Sequence, residues 1–426
     1  MGRLRFLTAG ESHGPTLGVT IEGVPAGLPL SADDLAVDLA RRQRGYGRGA
    51  RQAIEQDRAE IVGGVRHGVS LGSPILLLVR NRDFETWTRV MQVEALTDDE
   101  AAELAAAAAD GNKRASQVTR VRPGHADLAG ALKYGFTDVR NVLERASARE
   151  TAARVAAGGV ARAMLRELGV EVWSFTAEVG GVAVDPAAAL RPRDEADASS
   201  LRCPDPTAEA AMIAKIDEAR SNGDTIGGVF EVVAHGLPIG LGSYVHWDRR
   251  LDAALAAAVM SINIVKGVEF GLGFEQTRRF GSAVHDIIEG RGEGGRWIHR
   301  SNNAGGLTGG VTNGEPLVVR GAVKPISTLA RPLPSADLLT GEAVEKAHYE
   351  RSDISVVPAA GVVGEAMVML TLADFMLDKF GGDSLAETRD NLERYRERIS
   401  RAPDGTSSAP SQTAAASGEA GSGGDD

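Results

Sequence analysis

The stretch SARETAARVAAGGVARAMLREL, residues 147–168, decides more about the fold than any other part of the chain. Ser147 and Glu150 stand three positions apart, the spacing of a capping box in which each side chain bonds to the other residue's backbone N–H. Alanine, glycine and valine dominate the residues that follow. We therefore predict a long helix of small residues that opens at this capping box and runs to about Leu168.

Helix and strand signals alternate around this segment without a regular βαβ repeat. Further helices are predicted over residues 31–44, 207–222, 251–266, 364–380 and 384–399. Strands are predicted over residues 18–21, 75–79, 229–234 and 317–323. The helices at 251–266 and 364–380 are nearly all apolar, so we expect them to be buried. This order of elements predicts an α+β fold with layered antiparallel sheets rather than a doubly wound sheet.

Three stretches are predicted to lie outside the core. Residues 96–117 contain an acidic, alanine-rich run that is typical of a surface helix or a variable insertion. Residues 185–206 are polar and contain prolines, which indicates a surface stretch. Residues 401–426 are rich in Ala, Ser and Gly and have no apolar periodicity, which predicts a disordered tail. We therefore predict one domain over residues 1–400.

The composition argues against several classes of function. The chain has 426 residues, 43% of them hydrophobic, which is enough for a large core. Its 47 Lys and Arg against 58 Asp and Glu give a formal charge of −11, whereas a general nucleic-acid binder is normally basic. No apolar run approaches the ~20 residues of a membrane span, and the N-terminus lacks the apolar stretch of a signal peptide. Cys203 is the only cysteine, which excludes an intrachain disulfide and a zinc cluster. We predict a cytoplasmic protein with no nucleic-acid, membrane or metal partner.

Two glycine-rich strings near the N-terminus carry chemically useful side chains. GESHG, residues 10–14, holds a histidine in a tight loop; taken alone, the string is equally typical of a surface turn. RRQRGYGRGAR, residues 41–51, lets Arg42, Arg48 and Arg51 converge on a phosphate or carboxylate, because its glycines allow close backbone approach. Its glycines do not follow the dinucleotide-binding pattern G-x-G-x-x-G.

Three later groups of residues extend this pattern. RVRPGHAD, residues 120–127, sets His125 near Arg122, and ERASARE, residues 144–150, forms a helix start flanked by arginines, a favourable site for an anion. The third group comprises the Asn- and Gly-rich loop at 301–315, KPIST at 324–328 and RSDISVVPAAG at 351–361. Together the strings predict an enzyme that acts on a polyanionic small molecule, with two histidines as acid–base groups.

In order and spacing these strings resemble the chorismate synthase family, from about Gly10 to about Asp390. The resemblance implies a β-α-β sandwich of antiparallel sheets and helices, assembled as a homotetramer. It also implies conversion of 5-enolpyruvylshikimate-3-phosphate to chorismate and phosphate, the last step of the shikimate pathway. That 1,4-anti elimination has no net redox change but requires reduced FMN.

The same resemblance implies roles for individual residues. His13 would protonate the departing phosphate, His125 would steady the reduced, anionic flavin, and Asp353 would help the flavin N5 position to accept the substrate proton. The substrate-binding positions would be Arg42, Arg48, Arg51, Arg122, Ser147, Ala148, Arg149 and Arg351. The cofactor-binding positions would be Arg145, Ala146, Ser147, Asn263, Ile264, Gly309, Lys324, Pro325, Ile326, Ser327, Thr328 and Arg351.

Two further expectations concern the source of electrons. NADPH would act as an indirect reductant, with Arg42 and Arg48 as the NADP-binding positions, and a separate flavin reductase would supply the reduced cofactor. The alternatives are an NAD(P)H-dependent flavin oxidoreductase and a non-catalytic anion-binding protein. The missing dinucleotide fingerprint argues against the first, and the two loop histidines argue against the second.

Overall fold

The structure is a computed structural model that describes residues 3–49, 56–185, 193–350 and 353–401. The strands are β1 (Arg5–Ala9), β2 (Thr16–Glu22), β3 (Ala59–Gly63), β4 (Val65–Arg66), β5 (Val69–Ser70), β6 (Ile75–Arg80), β7 (Glu171–Val179), β8 (Val182–Ala183), β9 (Gly228–His235), β10 (Val265–Phe270), β11 (Ile288–Arg291), β12 (Trp297–His299), β13 (Leu307–Thr308), β14 (Val311–Thr312), β15 (Leu317–Val323), β16 (Ser335–Ala336) and β17 (Ala343–Val344). The helices are α1 (Ala32–Gln43), α2 (Asp98–Ala109), α3 (Asp127–Tyr134), α4 (Arg140–Ala146), α5 (Thr151–Glu167), α6 (Arg193–Ala198), α7 (Pro206–Ser221), α8 (Leu251–Met260), α9 (Val357–Phe380) and α10 (Leu385–Ser400).

Two antiparallel sheets form the outer layers of the molecule. One sheet has the strand order β1-β2-β6-β3 and the other the order β10-β15-β9-β7-β8. Helices α1 and α5 pack against the first sheet, α8 and α9 pack against the second, and α5 packs on α9 between them. The predicted α+β class, and the sandwich of antiparallel sheets with helices, are therefore confirmed.

The small residues of α5 allow the central helices to approach closely. A Cβ atom at Gly158 would lie 2.4 Å from the Cβ atom of Ala366 in α9. A Cβ atom at Gly159 would lie 2.8 Å from a methyl group of Leu35 in α1. Alanine at either position would force the helices apart. The glycine pair therefore explains why this segment organises the fold.

The predicted capping box at the start of α5 does not form. The Ser147 hydroxyl accepts a hydrogen bond from the N–H of Arg149, and Ala148–Glu150 form a 3-10 turn before α5 begins at Thr151. The Glu150 carboxylate accepts instead from the Thr8 hydroxyl at 2.7 Å and from the Arg154 guanidinium. Residues outside the cap therefore bind the Glu150 side chain, which the sequence pattern assigns to the capping box. Capping boxes are present at the starts of α1 and α10, where Ser31 and Ser384 are the cap residues.

The apolar run at 251–266 divides between two elements, so the predicted helix there is too long. Helix α8 ends at Met260, and Val265 already pairs with Val323 as the first residue of β10. Only one stripe of α8, formed by Leu251, Leu255 and Val259, is buried. A short apolar run fits a strand as well as a helix, and pairing with β15 decides the outcome.

The end of the predicted surface stretch at 185–206 belongs to the core. Leu201, Arg202 and Cys203 are all buried, and burial raises the pKa of the Cys203 thiol to about 11. Arg202 donates to the Ser174 carbonyl and pairs with Glu365, so it has partners inside the protein. Residues 186–192, like the predicted tail from 402 to 426, lie outside the described residues.

Helix α9 corrects the expectation that no segment is long enough to span a membrane. Its 24 residues pass the test of length and composition, and 83% of its most apolar window is buried inside the protein. Its contacts with α5, β7 and β9 are those of a core helix.

Candidate active site

The sequence motifs converge on a cavity of ≈ 360 Å³ at one end of the central helices. The loop after β1, the end of α1 and the first turn of α9 reach it from different layers. The junction between α4 and α5, the segment between α8 and β10 and the segment after β15 complete its wall. Strings that are far apart in sequence thus share one site.

The side chain of His13 forms part of the cavity wall, and one of its ring nitrogens is already hydrogen-bonded. Its Nδ1 atom lies 2.8 Å from Oε1 of Glu144, a side chain only 2% exposed. Its ring stacks on Trp87 with the ring centroids 4.1 Å apart. An ionised carboxylate only accepts hydrogen bonds, so Nδ1 carries a hydrogen and Nε2 is the nitrogen available for proton exchange.

His125 is held in a similar way at another part of the wall. Its Nδ1 atom lies 2.5 Å from Oδ1 of Asp127, which also binds the Arg122 guanidinium at 2.8 and 3.0 Å. Burial alone would raise the pKa of Asp127, but the hydrogen bonds from His125 and Arg122 hold that pKa well below its usual range. The carboxylate therefore stays ionised and fixes the side chains of both His125 and Arg122.

Buried arginines form the most strongly charged part of the site. Arg42 lies 3.3 Å from Asp57, which also pairs with Arg149 at 2.5 Å, and Arg48 lies 3.4 Å from Asp353. Burial lowers the pKa of Arg42 to about 10; Asp57 opposes this shift, and Arg149 and Arg48 add to it. Burial also lowers the pKa of Arg48 in spite of Asp353. The carboxylates around Arg42 and Arg48 therefore do not offset the hydration that these side chains have lost.

The remaining wall combines a cation, hydroxyl groups and small apolar residues. Lys324 bonds to the Gly124 carbonyl, and its pKa is lowered by burial and by Lys266. The hydroxyl of Thr328 accepts from Arg122 at 3.3 Å. Small apolar side chains of α9 complete the wall: Ala359, Ala360 and Val363. This surface suits a flat, partly anionic ligand.

The comparisons with known proteins agree on one family. The family model "Chorismate synthase" matches residues 4–377. The chain belongs to the chorismate synthase family. "Chorismate synthase 1" of Bacillus cereus (strain ATCC 10987 / NRS 248) is 55% identical over 395 residues, 92% of this chain and 98% of that protein. "Chorismate synthase" of Thermobifida fusca (strain YX) is 53% identical over 393 residues, 91% of this chain and 97% of that protein.

A solved structure supports the same assignment through the fold. "Crystal Structure of Chorismate Synthase" superposes with a TM-score of 0.72 at 42% identity, covering 93% of this chain and 98% of the other. The chain is accordingly a lyase of the shikimate pathway to aromatic amino acids, which eliminates phosphate from 5-enolpyruvylshikimate-3-phosphate to give chorismate. Members of this family depend on reduced flavin in general.

Most of the predicted site residues that the structure describes line this one cavity. They are His13, Arg42, Arg48, Arg122, His125, Ala146, Ser147, Ala148, Arg149, Asn263, Ile264, Lys324, Ile326, Ser327, Thr328 and Asp353. The Asp353 carboxylate accepts a hydrogen bond from the N–H of Gly49 at 2.5 Å, which ties it to the arginine-rich loop.

Other predicted residues are not brought to the cavity wall. The Arg145 guanidinium turns away and donates to the carbonyls of Thr8 and Gly10. Gly309 lies in the turn between β13 and β14, and exposed Pro325 does not line the cavity although its neighbours do. Arg51 and Arg351 lie outside the described residues.

Sequence reasoning missed the acidic residues that hold the site together. Glu144 binds His13, Asp57 joins Arg42 to Arg149, and Glu350 lines the cavity 3.9 Å from Arg122. The pKa of Glu350 is about 2, because its bond with His348 and the charge of Arg122 outweigh burial, which alone would raise it. Glu144 is the first residue of the string ERASARE, so the sequence drew attention to it, but the sequence did not reveal its contact with His13.

Proposed function

We propose that 5-enolpyruvylshikimate-3-phosphate binds in this cavity and loses its phosphate there. The observation that carries the proposal is the pair of buried guanidinium groups of Arg42 and Arg48, whose pKa values burial lowers in spite of Asp57 and Asp353. Such cations gain from an anionic ligand, because its charge offsets the hydration that they have lost. A substrate with one phosphate and two carboxylates supplies that charge.

In this proposal the arginines bind the substrate and stabilise the leaving group. Arg42, Arg48, Arg122 and Arg149 make charge-assisted hydrogen bonds to the phosphate and carboxylates, with Ser147 and Ala148 beside them. Because these side chains are already held by carboxylates, they meet the charge that develops on the phosphate without reorganising. In other enzymes one well-placed donor of this kind contributes ~3–4 kcal/mol. Arg51 and Arg351 stay predicted members of this set.

His13 is the proposed general acid. Nδ1 is engaged by Glu144, so the proton transferred to the departing phosphate comes from Nε2. The stacked Trp87 ring keeps the imidazole plane fixed during the transfer. Turnover should therefore depend on His13 more strongly than substrate affinity does.

The residues present fit reduced FMN in the same cavity. The segment Lys324–Thr328 offers one cation and two hydroxyl groups for the phosphate end, and Asn263, Ile264 and the small residues of α9 offer a surface for the ring. Reduced FMN, when bound, supplies electron density to the allylic system and recovers it, which leaves no net redox change. Lys324 contributes a partly dehydrated positive charge, which an anionic group stabilises.

Two further residues are assigned to the cofactor side of the reaction. His125, whose Nδ1 is engaged by Asp127, keeps its assigned place beside the anionic flavin, where a hydrogen on Nε2 would make the ring a hydrogen-bond donor. Asp353, held by Gly49 and Arg48, provides the carboxylate that assists removal of the substrate proton. We expect the Asp353→Ala variant to bind flavin but to be slow in the proton-transfer step.

The source of electrons and the setting of the enzyme belong to the same proposal. In the described residues, both large sheets are antiparallel and contain no parallel βαβ unit for a dinucleotide, which supports a separate flavin reductase. NADPH would then be an indirect reductant. The assignment of Arg42 and Arg48 to NADP, the homotetramer and the cytoplasmic location rest on the family resemblance.

An anaerobic assay tests this function. The purified protein is mixed with 5-enolpyruvylshikimate-3-phosphate and chemically reduced FMN, and phosphate release and chorismate absorbance are followed. We expect turnover with reduced FMN and none with oxidised FMN. If the purified protein oxidises NADPH in the presence of FMN, the result would favour the flavin oxidoreductase. If both ligands bind without turnover, the catalytic assignments are contradicted.

A further inference from the structure

Glu144 ties the loop that carries His13 to α4 through three hydrogen bonds. Its carbonyl accepts from the N–H of Ser12 at 3.1 Å, and its Oε2 accepts from the N–H of His13 at 2.8 Å. Its Oε1 binds Nδ1 of the same histidine at 2.8 Å. One side chain therefore fixes both the backbone and the ring of His13.

This arrangement defines the state of the His13 ring as well as its position. The two oxygens of Glu144 face two donors, the backbone N–H and Nδ1–H, and an ionised carboxylate can accept from both. Nε2 is thereby kept as the site where a proton is gained and lost. Glu144 itself is only 2% exposed and does not line the cavity, so it acts on the substrate only through His13.

The imidazole ring of His13 stacks on Trp87, and two arginines lie close to the Trp87 ring in turn. The guanidinium carbons of Arg114 and Arg140 lie 5.2 and 5.3 Å from the Trp87 ring centroid. Arg140 also lies 4.0 Å from Oε1 of Glu144. Arg114 comes from the segment at 96–117, which the sequence suggested to be peripheral. The support for His13 thus extends into that segment.

We propose that Glu144 is a positioning residue for the elimination, which keeps a hydrogen on Nδ1 of His13 so that Nε2 is the nitrogen that takes up the acid proton and delivers it, with Trp87 as the supporting platform. The inference rests on the proposed role of His13 as the general acid. It assigns no contact between Glu144 and the substrate.

The Glu144→Gln variant separates this role from simple packing. Glutamine keeps the shape of the side chain but has one acceptor oxygen for two donors. If that oxygen serves the backbone N–H, the amide NH2 group faces Nδ1 and drives the hydrogen to Nε2. A charged ring with hydrogens on both nitrogens is then disfavoured, so the ring stays neutral and its Nε2–H is too weak an acid to protonate the phosphate. In the other amide orientation the NH2 group faces the backbone N–H of His13. Both groups are donors, so that hydrogen bond is lost.

The experiment is a double-mutant cycle on kcat in the anaerobic assay with reduced FMN. We expect Glu144→Gln to lower kcat by about 10²-fold or more, the range for losing general acid catalysis, and to change KM by no more than about threefold. In the His13→Ala background the same change should alter kcat by less than about twofold, because the two residues act as one unit. Substrate affinity, measured by titration calorimetry without turnover, should stay within about threefold in all variants.

Asp374→Asn is the matched control. The Asp374 carboxylate accepts the N–H of Leu4 at 2.8 Å, a backbone bond like the one that Glu144 makes, but it contacts no histidine and does not line the cavity. Its kcat should equal that of the unaltered enzyme. If Glu144→Gln does not fold, as judged by circular dichroism and thermal melting, Glu144→Asp replaces it in the cycle and should also lose kcat only when His13 is present.

The possible outcomes distinguish the inference from the proposed function. The positioning role alone is overturned if the Glu144→Gln enzyme has a normal kcat. It is also overturned if Glu144→Gln lowers kcat by the same factor in the His13→Ala background as in the unaltered protein. Full turnover in His13→Ala removes the acid role of His13 and the inference with it. Loss in both single variants and no further loss in the double variant supports both.

Discussion

Arg41 and Arg42 are adjacent in α1, but they enter two different clusters of buried charge. Arg41 meets Glu365 through both terminal nitrogens, at 2.7 and 2.8 Å, and Asp38 at 2.7 Å. Burial alone would lower the pKa of Arg41, but these carboxylates raise it above its usual value. For Arg42 burial prevails, and the pKa falls to about 10. One helix therefore supplies a well-compensated cluster to the core and a poorly compensated one to the cavity.

The difference indicates what each cluster is for. Glu365 is fully buried and binds Arg41, Arg162 and Arg202, so the core cluster joins α1, α5 and α9. The pKa of Arg162 is raised like that of Arg41, whereas that of Arg202 is lowered by burial. In the cavity, by contrast, Arg42, Arg48 and Lys324 all have lowered pKa values. We propose that an anionic substrate stabilises those cations, whereas the carboxylates of the core cluster raise the pKa values of two of its three arginines, Arg41 and Arg162.

The largest expected effect comes from removing the charge at the centre of the core cluster. Glu365→Gln leaves three buried guanidinium groups without their shared carboxylate, which should lower the free energy of unfolding by about 3–5 kcal/mol. Urea denaturation of both proteins measures the difference. A loss below about 1 kcal/mol would mean that the two clusters do not differ in this way.

Arg48→Gln should have the opposite profile, affecting function far more than stability. Losing one buried, charge-assisted contact to the substrate should lower kcat/KM by about 10- to 100-fold, equivalent to about 1.5–3 kcal/mol. The free energy of unfolding should change by less than about 1 kcal/mol, because the substitution also removes a charge whose burial is costly. A large loss of stability with normal kcat/KM would contradict the assignment of Arg48 to the cavity cluster.

Acid should weaken the core cluster by protonating Glu365. The arginines around Glu365 hold its folded-state pKa well below 4.5, although burial alone would raise it. A carboxyl group with a lowered pKa contributes stability above its unfolded pKa and loses it as the pH falls. The stability difference between the unaltered protein and Glu365→Gln should therefore narrow below about pH 4.5, by up to about 1.4 kcal/mol per pH unit. A constant difference from pH 7 to pH 3 would argue against an ionised Glu365.

The smallest effect is protection by a simple anion. Inorganic phosphate at about five times its Kd should stabilise the unaltered protein by about 1 kcal/mol, seen as a higher Tm. Arg48→Gln should gain much less. Arg389→Gln, which removes a half-buried ion pair with Glu167 and does not touch the cavity, should gain as much as the unaltered protein. Equal protection of all three proteins would mean that phosphate binds elsewhere.

Much of the fold was predictable because its signals are local. The cap at Ser31, the arginines at the end of α1 and the strands at 75–79 and 317–323 follow from neighbouring residues alone. The end of α8 and the burial of residues 201–203 depend on partners far along the chain, β15 and Glu365. The pattern Ser147–Glu150 misled for the same reason, since Thr8 and Arg154 take up the glutamate.

The candidate site was predictable as a set of loops but not as a network. Glycine, histidine and arginine mark the loops, because glycine lets the backbone approach a ligand closely and the other two bind anionic groups. Which carboxylate serves which basic side chain is set by three-dimensional contacts, as with Glu144 and His13 or Asp57 and Arg149. The same limit applies to Arg145, whose string lies at the cavity while its guanidinium turns toward Thr8.

A crystal structure with 5-enolpyruvylshikimate-3-phosphate bound tests the central claim most directly. The account predicts that the anionic groups of the substrate lie against Arg42, Arg48 and Arg149, with Nε2 of His13 within hydrogen-bonding distance of the oxygen that joins phosphate to the ring. Substrate bound away from these arginines, or Nε2 turned away from the phosphate, would contradict it.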